Sequence, residues 1–113
     1  MLPLMGYDPE LADRVRAALS AEPDVGEKRM FGGLAFLVGG RMVVATSGHG
    51  GLLLRVDPGD PQVDQDPRVG PQVMRGREMR GWRHVDVDAS VEDDDLTGWV
   101  AGALAVVRAL PPS

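Results

Sequence analysis

The sequence has 113 residues, of which 43% are apolar and 26% charged, with a net charge of −5 and a pI near 4.8. That length suits a single domain spanning residues 1–113 around one modest core. The absence of cysteine excludes disulfides and thiolate zinc sites, and the acidic balance argues against nucleic-acid binding, which rests on Lys and Arg neutralising phosphates.

No apolar run approaches the roughly 20 residues of a membrane span. The N-terminus lacks the basic-then-apolar pattern of an export signal, so no membrane partner and a cytoplasmic location are expected.

Asp8-Pro9-Glu10 reads as a helix start: a capping carboxylate, proline in the first turn, then an acid that favours the dipole. Leu11, Val15, Ala18 and Leu19 repeat at i, i+4, i+7 and i+8, which is one face of an amphipathic helix. Glu22-Pro23-Asp24 ends it, because proline disfavours helical backbone in the residue before it.

Most of the fold information sits between Arg29 and Val56. A first strand is expected from about Glu27 through Arg29-Met30-Phe31-Gly32-Gly33. Glycines inside a strand pattern point to a bulge or a close backbone approach. A phosphate-cradling loop would need a following helix N-terminus, which this sequence does not supply. The apolar runs Leu34–Val38, Met42–Ala45 and Leu52–Leu54 are too short for helices and read as an antiparallel meander. Gly39-Gly40 supplies the two positive-φ residues of a type I′ turn. Gly48-His49-Gly50-Gly51 makes the next, longer loop, with His49 as an exposed turn residue.

Asp57 to Pro71 holds four prolines and four aspartates, so it reads as a surface connection in which Asp60-Pro61 starts at most one short helix. Asp60, Asp64 and Asp66 lack the spacing and closing glutamate of a calcium loop, and no metal site is expected. A second β region, Val73 to Val87, carries Arg75, Arg77, Arg80 and Arg83 with Trp82 and His84. Strand alternation places Arg80, Trp82 and His84 on one side. Arginine beside tryptophan invites a nucleic-acid reading; the nearby acids, Asp86, Asp88 and Glu92 to Asp95, favour solvated or ion-paired arginines instead. Ser90-Val91-Glu92-Asp93 resembles a helix cap. Leu96, Trp99, Val100, Ala103, Leu104, Val107 and Leu110 then mark the clearest helix, stopped by Pro111-Pro112.

Lys28-Arg29-Met30-Phe31-Gly32-Gly33, Phe36, Gly40-Arg41-Met42, Leu54-Arg55-Val56-Asp57, the Met79–Val85 strand and the Trp99-bearing helix together resemble the TfoX N-terminal domain family, named for a regulator of natural competence. The resemblance covers roughly Leu11 to Leu110. It implies an α+β fold, a two-layer α/β sandwich of order α-β-β-β-α-β-β-α with an antiparallel sheet. No catalytic residues are carried over from the family, and no cofactor is expected.

Two function classes follow. One is a non-enzymatic regulatory or protein-interaction module acting as a homodimer, because the three apolar runs do not alternate and a sheet buried on both faces needs a second cover. The other is a small enzyme or ligand-binding domain with a polar site at Arg29, His49 and the Arg75–Arg83 cluster. Candidate binding residues across both readings are Arg29, Met30, Phe31, Gly32, Gly33, His49, Arg80 and Trp82.

Overall fold

The structure is a computed structural model that describes residues 6–30 and 32–111. Helix α1, Pro9–Ala18, starts where the sequence places it. The Asp8 carboxylate accepts from the Glu10 amide at 2.9 Å and from the Leu11 amide at 3.4 Å. Strands β1 (Val25–Met30), β2 (Gly33–Val38), β3 (Arg41–Thr46) and β4 (Leu52–Arg55) follow as an antiparallel meander.

A surface connection with one turn of 3-10 helix, Val63–Gln65, leads to strands β5 (Val69–Met74) and β6 (Arg77–Val85), and then to helix α2 (Asp93–Ala109). The middle helix of the expected order is thus reduced to that single turn. The strand order is β1-β2-β3-β4-β6-β5, every neighbour antiparallel, so β6 inserts beside β4 and leaves β5 at the edge. The fold is α+β, with both helices on one face of a six-stranded sheet.

Turn chemistry fixes the register. Gly39 and Gly40, at φ 60° and 81°, close the β2–β3 hairpin in the left-handed conformations expected of them. The β5–β6 turn falls on Arg75-Gly76, at φ 53° and 78°. In the Gly48–Gly51 loop it is Gly50 and Gly51 that take positive φ, while His49 is an ordinary exposed turn residue.

The register defines two faces. The rows Arg29–Leu34–Thr46–Leu52–Val85–Val69 and Glu27–Phe36–Val44–Leu54–Arg83–Pro71 face the helices. The register shifts after Phe36, and Val43 joins Val44 in the core at that bulge. Phe36, Val44, Leu52, Leu54 and Val85 are all at most 2% exposed, packed with Leu11 and Val15 of α1 and with Leu96, Val100 and Ala103 of α2.

The start of α2 differs from expectation. Glu92 is the capping position and makes no side-chain cap. Ser90 is held by the Asp88 carboxylate instead, through its amide at 2.9 Å and its hydroxyl at 2.5 Å, so it cannot cap the helix. The first turn then relies on Asp93, Asp94 and Asp95 against the helix dipole.

Candidate functional site

Among the described residues, no helix lies over the opposite face of the sheet. Its central row is Lys28–Ala35–Ala45–Leu53–His84–Gly70, crossing all six strands, flanked by Leu37–Met42 and Arg55–Trp82. This face is recessed where a groove lies on it. An open groove of about 370 Å³ runs along it, with small residues Gly33, Ala35 and Ala45 in its lining and methionines Met30, Met42, Met74 and Met79 around them. Ser47, His49 and Gln72 supply its polar lining.

Alternation fails locally in β6. Four residues, 79 to 82, oppose the single residue Gln72 between the Pro71–Arg83 and Val73–Glu78 pairs. Met79 and Trp82 therefore both reach the groove. Arg80 instead lines a shallow recess with Pro71, Glu78 and Arg83, away from the side on which alternation put it.

The candidate residues sort accordingly. Met30, Gly33, His49 and Trp82 line one groove. Gly32 sits in the turn before β2 at φ 78°, and Arg29 is exposed on the helix-facing row of the edge strand. Phe31 lies outside the described residues. His49 lines the groove, Arg80 lines the recess and Arg29 lies on the helix-facing row of β1, so these three residues of the polar site weighed at Arg29, His49 and the Arg75–Arg83 cluster do not share a pocket described above.

Sequence reading missed Arg55, whose only signal is its place in Leu54-Arg55-Val56. Its Nε donates to the Met42 carbonyl at 2.7 Å, and its guanidinium lies 4.5 Å from the Trp82 ring centroid. It is half-buried and has no carboxylate partner among the described residues. Lost hydration, and then neighbouring Arg41, pull its pKa below the ordinary value. His84 Nε2 lies 2.9 Å from the Gly50 carbonyl, which places the ring proton on that nitrogen.

Several of the other arginines and acids pair on the helical side or in the Asp57–Pro71 connection. Arg16 holds Glu27 at 2.6 Å, Arg83 holds Asp64 at 2.7 Å, and Arg68 bridges Asp66 at 2.7 Å and Asp95 at 3.1 Å while stacking on Trp99. Arg83 thus takes Asp64, not the acids that follow it in sequence. Asp60, for its part, accepts from the Gln62 amide.

The matched region runs from the end of α1 to the last turn of α2, and the observed elements lie in the order the resemblance implies. The sequence model of the TfoX N-terminal domain matches residues 17–107. The chain belongs to the TfoX N-terminal domain family. No curated protein and no solved structure matches it.

Among the described residues, no helix is long and apolar enough to cross a membrane.

Proposed function

We propose that this TfoX N-terminal domain is a non-enzymatic, regulatory protein-interaction module whose working surface is the outer face of the sheet. The observation that carries it is the composition of that face. Leu37, Met42, Leu53 and Trp82 are only half-buried there, on a concave surface that neither helix covers. A groove walled by methionine and tryptophan with few polar groups has the make-up of a docking surface that adapts to a partner, not of a site that positions reacting groups. Two occupants compete for it: a second copy of the chain, which gives the homodimer expected from the sequence, and a segment of another protein.

Neighbours Phe36 and Leu37 separate folding from docking. Phe36 is 0% exposed among the helices, while Leu37 pairs with Met42 on the outer face. Phe36→Asp should abolish the cooperative melt, since it removes a core ring and buries a charge. Leu37→Asp should melt like wild type. In an extract of the native cells, wild type should run well above 12.1 kDa, and Leu37→Asp should run at the monomer mass. A folded Leu37→Asp that keeps the wild-type size contradicts this function.

A further inference from the structure

We propose that the outer groove takes a segment of another protein that is apolar along one side and acidic along its flank, with Arg55 and Lys28 receiving the carboxylates. The proposal rests on the outer face being the docking surface and names what docks there.

Charge is the first argument. The chain has 17 acidic residues against 12 Lys and Arg. Yet among the described residues the outer rows carry Lys28, His84 and Arg55 and no carboxylate, and no Asp or Glu lines the groove, which Lys28 and Arg55 flank without lining it. Arg55 also borders the recess beside α2 that Asp57, Asp60 and Asp66 line. The acids lie elsewhere, several of them neutralised by arginines on the helical side. A protein that is acidic as a whole but free of acid, among the described residues, on an apolar face that neither helix covers is built to meet negative charge there.

Arg55 is the second. A half-buried guanidinium has lost part of its hydration, and here no carboxylate repays that loss. Its Nε bond to Met42 and its stacking on Trp82 hold the plane in place, while its two Nη groups make no hydrogen bond among the described residues. A fixed fork with both ends open matches a carboxylate in two-point contact.

The same map disfavours a second copy. Two such faces brought together would add the Lys28 and Arg55 cations of both protomers, with no acid among the described residues of either face to offset them. The small residues between the methionines leave room for leucine or phenylalanine side chains, to which methionine adapts.

The test uses three fluorescein-labelled 16-residue peptides with one shared leucine–phenylalanine face. Their other face is glutamate, glutamine or lysine, and binding is read by polarisation at low and high salt. The glutamate peptide should bind roughly tenfold tighter than the glutamine peptide, with the lysine peptide weakest, and the gap should narrow as salt rises. Arg55→Gln should remove most of that gap while leaving the glutamine peptide's affinity unchanged. Lys28→Gln, at an exposed edge position, gives the same readout should Arg55→Gln fail to fold.

Equal affinity for all three peptides, or preference for lysine, overturns the proposal but leaves the docking surface standing. No peptide binding, with a dimer that Leu37→Asp dissociates, makes the second copy the occupant and overturns the proposal alone. No binding by a monomer in purified form and in native extract overturns both.

Discussion

Gly32 and Gly33 do different work side by side. Gly32 adopts φ 78° in the turn, and a Cβ at Gly33 would stand 2.3 Å from the Thr46 carbonyl oxygen. The first demands left-handed backbone and the second demands empty space beside a neighbouring strand. Gly32→Val should cost about 1–3 kcal/mol through backbone strain. Gly33→Ala should cost a similar amount, roughly 1–3 kcal/mol, because backbone atoms must move. Urea midpoints check both, and a shift within error at either position removes its assigned role. The need for glycine at the pair was legible in the sequence, but the expected bulge inside one strand was not what it makes: β1 ends at Met30, Gly32 lies in the turn, and Gly33 begins β2. Arg55 was not legible: its significance lies in what is missing around it, and an absent carboxylate leaves no mark on a local pattern.

Elements were legible where one local signal acted without a competitor. Asp8 caps α1 as its sequence implies, and Asp8→Ala should cost about 0.5–2 kcal/mol in thermal or urea unfolding. Ser90 has the right residue type at the right spacing, yet Asp88 captures both its amide and its hydroxyl, and the α2 cap moves to Glu92. Strand alternation likewise held from His84 to Trp82 and failed beyond Gly81, where four residues oppose one.

The connection to β5 is fastened through Arg68, which ties Asp66 to Asp95 of α2. Bonds from the Arg68 side chain, and then from its amide, hold Asp66 down to about 2, below its ordinary value of 3.8. A carboxylate depressed on folding contributes stability that is full above its unfolded pKa and is lost as pH falls through the folded one. Wild type should therefore lose stability between about pH 4 and pH 2. Glu27 and Asp64, lowered chiefly by their bonds to Arg16 and Arg83, act in the same direction. Asp66→Asn should be less stable than wild type at pH 7 and indistinguishable from it near pH 2. A difference between them that does not change with pH would show that the ion pair contributes nothing to folding.

For the whole molecule, the non-alternating strands were the informative signal. Leu34-Ala35-Phe36-Leu37-Val38 is apolar in both directions because one face meets the helices and the other forms the groove. The sequence could show that the second face wants cover. It could not show where the groove lies, since that depends on the long-range β4–β6 pairing and on the β6 bulge. Ala35 and Ala45, in the lining of the groove, are 1% and 8% exposed. The account stands on the outer face being where this domain meets its partner.

The most direct measurement is photo-cross-linking in the native cells, with benzoylphenylalanine placed at Leu37 or Leu53 on the outer face, or at Ala101 or Ala105 on the exposed side of α2. The account predicts one discrete adduct from both outer positions and none from either helical position. Adducts from Ala101 or Ala105, with none from Leu37 or Leu53, would contradict it.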